Sequence, residues 1–185
     1  MKKIIFAINV TLDGCCDHTK GMADDEIHEY FADLLRQVDV LIYGRKTYEL
    51  MVPFWPDMAK NHSGQTNAIN DFARAFDAVS KIVVFSRSLE KIDHSKTTVV
   101  NTNLREEILK LKQGEGKNIL LGGVDLTSQI IELDLIDEYH FVVQPLIVGK
   151  GRRLWDRADL PERLQLKLIE SRVFKSGAIM LRYTK

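Results

Sequence analysis

Three short segments carry the residue types from which a phosphate-binding site is made. They are Gly44-Arg45-Lys46-Thr47, Ser86-Arg87 and Gly122-Gly123. Each follows directly on an apolar run: Val40-Leu41-Ile42-Tyr43, Ile82-Val83-Val84-Phe85 and Ile119-Leu120-Leu121. Glycine lets backbone approach a pyrophosphate closely, and arginine matches phosphate oxygens with paired donors. A helix start adds free N–H groups and the positive end of its dipole. In an open α/β sheet, ligands bind beyond the carboxyl ends of the strands, where all three segments fall. Together they describe a site for a dinucleotide with an extra phosphate. Singly each is weak: Gly-Gly after a strand is an ordinary turn signal, and a lone arginine an ordinary solvated charge. The Gly-x-Gly-x-x-Gly fingerprint is absent, which argues against an ordinary Rossmann domain.

The elements that would position these segments follow from periodicity. Residues 3–10 form an isoleucine-rich apolar run, as do the three runs above, and such runs read as strands buried on both faces. Asp13-Gly14 opens a polar loop lasting to about Asp24. Beyond it Ile27, Tyr30, Phe31, Leu34, Leu35 and Val38 recur at helical spacing, with Asp24 or Asp25 placed to cap the start. A polar stretch with Pro53 and Pro56 precedes a second helix marked by Ile69, Phe72, Ala73 and Phe76. Thr97–Val100 is a short strand; Leu104, Ile108 and Leu111 mark a helix, as do Leu126, Ile130 and Ile131. The last part changes character. Tyr139-His140-Phe141-Val142-Val143 is a strand stopped by Pro145, and Leu164, Leu166 and Leu168 alternate like a half-buried strand. Lys175-Ser176-Gly177 is a turn before a final strand, Ala178–Tyr183. This predicts one α/β domain over residues 1–185: a mainly parallel sheet flanked by helices, closed by antiparallel C-terminal strands.

Composition narrows the function. The 185 residues carry 26 basic and 26 acidic side chains, so no general electrostatic footprint for nucleic acid or a membrane surface exists. The adjacent cysteines, Cys15 and Cys16, cannot form a disulfide framework and read as ordinary thiols in a reducing compartment. His18, His28, His62, His94 and His140 lack metal-ligand spacing, so no metal is expected. The N-terminal apolar run meets Asn9, Thr11 and Asp13 too soon for a signal peptide, and no stretch is long enough to span a bilayer. These features predict a soluble, cytoplasmic protein.

Read in order, Leu12-Asp13-Gly14, Gly44-Arg45-Lys46-Thr47-Tyr48-Glu49, Val84-Phe85-Ser86-Arg87, Leu121-Gly122-Gly123, Ile136-Asp137-Glu138-Tyr139 and Pro145-Leu146-Ile147-Val148-Gly149-Lys150-Gly151 cover nearly the whole chain. The combination resembles the dihydrofolate-reductase-like superfamily, in particular the bacterial branch related to the riboflavin-biosynthesis reductase (RibD C-terminal) domain. The resemblance implies NADPH bound across the sheet. Arg45 and Thr47 would hold phosphates at a helix start after Gly44, and Ser86 with Arg87 the adenosine 2′-phosphate. Gly122 and Gly123 would lie beneath the pyrophosphate and nicotinamide ribose, with Val124 and Leu126 completing the cofactor set. A cis peptide between the two glycines is a frequent family feature.

The sequence also departs from the folate-reducing members. Those carry an acid on the first helix, and counting back from Gly44 by the family spacing lands near Ile27 or His28, neither an acid. This disfavours a true dihydrofolate reductase and favours the riboflavin-type branch, while the zinc-deaminase signature of bifunctional members is missing. The implied activity is NADPH-dependent reduction of a pyrimidine-, pteridine- or sugar-imine-like substrate, with a noncatalytic NADPH-binding sensor as the alternative. His28 and Asp13 are the candidates for proton delivery, set against a surface histidine and a turn-capping aspartate. The expected partner is a small heterocycle, not nucleic acid or membrane, and a homodimer is held open. Two further segments have competing readings. Gly149-Lys150-Gly151-Arg152-Arg153 is a substrate phosphate seat or a tight turn, and Phe54-Trp55-Pro56 lines a ring pocket or packs a loop.

Overall fold

The apolar runs become neighbouring strands because each buries both faces and satisfies its backbone only by pairing on both edges. The computed structural model describes residues 1–89, 92, 94–156 and 163–185. Six strands run parallel: β1 (Ile4–Thr11), β2 (Val38–Gly44), β3 (Lys81–Phe85), β4 (Thr97–Val100), β5 (Asn118–Leu121) and β6 (Glu138–Gln144). Antiparallel β7 (Lys167–Val173) and β8 (Ile179–Thr184) extend the sheet beyond β6, and the order is β4-β3-β2-β5-β1-β6-β8-β7.

Strand alternation splits the core in two. Ile5, Leu41, Tyr43, Ile82, Val84 and Leu120 meet helices α1 (Asp25–Arg36) and α4 (Asn67–Asp77) through Ala32, Leu34, Leu35, Phe72 and Phe76. On the opposite face Ile4, Phe6, Val40, Ile42, Ile119 and Leu121 meet α5 (Leu104–Gln113) and α6 (Asp125–Glu132) through Ile108, Leu126, Ile130 and Ile131. Each fully buried valine, leucine, isoleucine or phenylalanine among them contributes about 1.5–3 kcal/mol. Asp24 caps α1 by accepting from Ile27 N at 2.8 Å, and Thr66 caps α4 by accepting from Ile69 N at 3.3 Å.

Three details differ from the sequence reading. Val38 belongs to β2 and not to the preceding helix, because α1 ends at Arg36 and its C-cap Gln37 turns the chain straight into the sheet. The stretch with Pro53 and Pro56 is helical: α2 (Arg45–Met51) is followed by α3 (Phe54–Asn61). Both prolines sit at the start of α3, where their missing N–H groups would have no intrahelical partner anyway. The Leu164/Leu166/Leu168 alternation lies mostly outside a strand, since β7 begins at Lys167. Leu164 and Leu166 pack on the α5/α6 core as irregular chain, while Leu168 is half exposed.

The connections decide where a ligand can enter. After β2 the chain enters α2, whose Tyr48 joins the α1/α4 core; after the adjacent β5 it enters α6 on the other face. Neighbouring strands that send their connections to opposite faces leave a crevice between them.

Candidate functional site

That crevice is a cleft of about 1840 Å³ at the carboxyl ends of β1, β2, β3 and β5. Gly44, Arg45, Thr47, Ser86, Arg87, Gly122, Gly123, Val124 and Leu126 all stand on its wall. The β2–α2 and β5–α6 junctions are pressed together there. A Cβ on Gly122 would meet the buried Tyr43 ring at 2.6 Å, and one on Gly123 would fall inside contact distance of the Thr47 hydroxyl. Gly123 also has φ +88°, a conformation costly for any residue with a side chain. The glycines are thus required first for this close packing. The peptide between them is trans: among the described residues no peptide bond is cis, so the expected cis bond is absent.

The charges at this end are unevenly committed. Arg45 pairs with Glu49 at 2.6 Å and donates to Ser88 Oγ at 3.0 Å. Ser86 Oγ accepts from Ser88 N and Leu89 N at 3.2 and 3.1 Å, so it holds the turn, and it lies 3.5 Å from Ser88 Oγ. Lys46 and Arg87 line the cleft, exposed, and no hydrogen bond or ion pair engages them among the described residues. Asn101, Thr102 and Asn103, after β4, add neutral donors that the sequence reading did not single out. Guanidinium, ammonium, hydroxyl and amide groups around a close-packed glycine pair fit the phosphates of a dinucleotide.

The other end is aromatic. Phe31, Trp55 and Phe72 line it, with Trp55 and Phe72 edge to face at a centroid distance of 4.5 Å. Trp55 therefore both packs α3 onto α4 and walls the cleft. His28, half-buried on α1, lies against these rings, 6.3 Å from Trp55 and 5.9 Å from Phe72. Its Nδ1 lies 2.8 Å from the Asp24 carbonyl oxygen, which can only accept. Nδ1 therefore carries the hydrogen, and Nε2 is the nitrogen left to take up or release a proton.

Asp13 is a correction. It does not stand among the residues lining the cleft. Its carboxylate accepts from Thr11 Oγ1 at 2.6 Å, Gly149 N at 2.9 Å and Val148 N at 3.3 Å, and pairs with Arg153 at 3.2 Å. The Thr11 hydroxyl first, and then the backbone N–H groups, hold its pKa well below the ordinary carboxylate range. Proton delivery would need the opposite shift, so this residue clamps a turn.

The 149–153 segment is built as a turn, and Arg152 among its residues lines the cleft. Arg153 is held by Asp13 and by the Gly149 carbonyl, Cys16 N donates to the Arg152 carbonyl at 2.8 Å, and Arg152 pairs with Asp125. Cys16 lines the cleft nearby, and burial pushes its thiol up to about 11, which keeps it protonated near neutrality. Asn9 on β1 and Gln144 at the end of β6 also reach the wall. Sequence reading missed both because an amide at a strand end carries no pattern of its own.

Comparison with known proteins agrees with this architecture. A model of the RibD C-terminal domain matches residues 2–180. The uncharacterized protein YyaP of Bacillus subtilis (strain 168) is 34% identical over 186 residues, covering 98% of this chain and 94% of the relative. A pyrimidine reductase-like protein from Corynebacterium diphtheriae has a TM-score of 0.70 at 16% identity, covering 99% of this chain and 91% of that one. A diaminohydroxyphosphoribosylaminopyrimidine deaminase/5-amino-6-(5-phosphoribosylamino)uracil reductase from Thermotoga maritima has the same TM-score at 17% identity, covering 99% of this chain and 56% of that one. Likeness at such identity speaks for the dihydrofolate-reductase-like fold alone. The family match is of another kind, because it takes in every element that forms the cleft, and on that ground this chain belongs to the RibD C-terminal domain family.

Proposed function

We propose that this protein is an NADPH-dependent reductase of a pyrimidine-, pteridine- or sugar-imine-like ring. The observation that carries this reading is one continuous cleft with two chemistries, a cationic, hydroxyl- and glycine-lined end joined to an aromatic end holding a histidine. Such a cleft suits a dinucleotide and a flat heterocycle side by side. Membership of a reductase-like family, and the uracil reductase activity named for the Thermotoga maritima relative, support the same reading.

Arg87 and Lys46 would take the phosphate charges, because neither spends its own charge on a described neighbour. Arg45 would exchange part of its bond to Glu49 for a phosphate oxygen. NADPH, when bound, supplies the hydride. Trp55, Phe31 and Phe72 would stack or edge the acceptor ring and keep water from it. His28 Nε2 would hold the proton for the ring nitrogen, its tautomer fixed by the Asp24 carbonyl.

The test measures NADPH and NADH binding by titration calorimetry, and NADPH oxidation against a panel of such rings. If Arg87 takes the 2′-phosphate, Arg87→Ala weakens NADPH binding by about 1.5–3 kcal/mol, roughly 10- to 150-fold, and leaves NADH binding unchanged. Equal losses for both cofactors would remove Arg87 from that role. Tight NADPH binding with no turnover on any ring would point instead to a noncatalytic sensor, and no NADPH binding at all would overturn the reading.

A further inference from the structure

Asn9 is the polar exception in the apolar run that opens the chain. Ile5 and Ala7 of β1 face the α1/α4 core, while Ile4, Phe6 and Ile8 face the other. The two-residue period therefore sends Asn9 toward the α1 face, the face on which His28 stands. Its side chain forms part of the cleft wall, yet its carboxamide makes no hydrogen bond among the described residues. The Oδ1 atom is buried with no donor.

For the fold alone this is a poor choice. A buried acceptor without a donor costs the full loss of its hydration, and an apolar side chain of the same shape would carry no such cost. The nearby polar groups are spoken for. Thr11, next on the same face, donates to Asp13 and accepts from Cys15 N at 3.0 Å. Gln144, opposite Thr11 in the parallel register, accepts from Met22 N at 2.7 Å. Gln144 is thus engaged through its oxygen, whereas Asn9 has neither end of its amide engaged among the described residues, and a half-turn of its side chain exchanges which end meets the cleft.

We propose that Asn9 is a specificity-determining residue that reads a lactam-type edge, adjacent N–H and C=O, on the ring held in the aromatic end of the cleft. This assignment rests on the ring-reduction reading above. With one end of the amide facing the cleft and the other buried, Asn9 meets such an edge through one hydrogen bond, donated by Nδ2 or, after the half-turn, accepted by the oxygen, and a site built that way rejects rings whose edge is blocked. The cofactor's own carboxamide offers the same chemistry, and the experiment separates the two.

Two probes share the ring and its amino groups: 5,6-diaminouracil, which has lactam edges, and 5,6-diamino-2,4-dimethoxypyrimidine, in which O-methylation removes the ring N–H and C=O groups. Their binding is measured calorimetrically to wild type, Asn9→Leu and Asn9→Ala, with and without saturating NADP⁺, alongside NADPH affinity and thermal unfolding. Wild type should prefer the dioxo ring by at least about 10-fold, the discrimination of one well-made polar contact. Both variants should lose that preference and keep NADPH affinity within about twofold, the scatter of an uninvolved side chain. Asn9→Leu should melt no lower than wild type, because it removes an orphaned acceptor. Preference retained in the variants, no preference in wild type, or a lower melting temperature in Asn9→Leu would each overturn the proposal. Loss of NADPH affinity with ring preference intact would reassign the amide to the cofactor and overturn it likewise. Absence of NADPH binding to wild type would instead sink the reductase reading, and the titrations without NADP⁺ would still judge Asn9.

Discussion

Asp13 and His28 show how far a residue's type falls short of its role. Both can hold a proton, and both sit near the cleft in sequence terms, but their neighbours differ. His28 spends one nitrogen on a backbone carbonyl and keeps the other. Asp13 spends both oxygens on donors from two loops. Its folded-state pKa lies below the ordinary carboxylate value, so it stabilises the native state most above pH ~4, the usual aspartate range. That contribution fades as pH falls below it toward the lowered native value. The variant Asp13→Asn should therefore unfold more easily than wild type at neutral pH, with the difference narrowing below about pH 4 as wild type loses its advantage. Denaturant titrations across pH 2–7 check this. A gap that widens toward acid would refute the clamp.

At the scale of elements, the β2–α2 and β5–α6 junctions matter more than either helix alone. Gly122 packs under Tyr43, a residue buried in the α1/α4 core that has nowhere to move. Gly122→Ala should therefore overpack this junction and destabilise the fold by about 1–3 kcal/mol. That corresponds to a fall in Tm of roughly 2–12 °C for a chain of this size, readable by differential scanning calorimetry. An unchanged Tm would mean that the junction has slack. The glycine pair was legible in the sequence as a close-approach motif. What it approaches is another strand–helix junction of the same protein, which only the sheet order could reveal.

At the scale of the whole molecule, the sheet has one conspicuous edge. β7 pairs with β8 on one side, every residue along it is exposed, and Leu168, Ile169 and Val173 are 50%, 49% and 71% accessible. Among the described residues no strand pairs with its other side, and an edge of this kind is a template for a further strand. A second copy is proposed as its partner. Antiparallel pairing of two β7 strands about Ser171 would set Ile169 opposite Val173 and Glu170 opposite Arg172, matching apolar with apolar and acid with base. Light scattering after gel filtration should give twice the chain mass, and Ile169→Glu combined with Val173→Glu should halve it. A wild-type monomer at tens of micromolar would dismiss this pairing.

The β/α alternation, the parallel sheet with its antiparallel close, and the three cleft-facing segments were all legible along the chain, because these depend on local periodicity and on which residues follow a strand. Asp24 and Thr66 cap their helices for reasons contained within four residues of chain. Folding in three dimensions was needed to show that Pro53 and Pro56 open a helix, that Leu164 and Leu166 pack without joining a strand, and that Asp13 is used up by Val148, Gly149 and Arg153. The same holds for Asn9, which has no hydrogen-bond partner among the described residues. Each of these depends on groups many residues away, whose meeting is fixed by the order β2-β5-β1-β6 in the sheet. A side chain's free hydrogen-bonding capacity is what remains after all its neighbours have been counted, and a sequence does not state who those neighbours are.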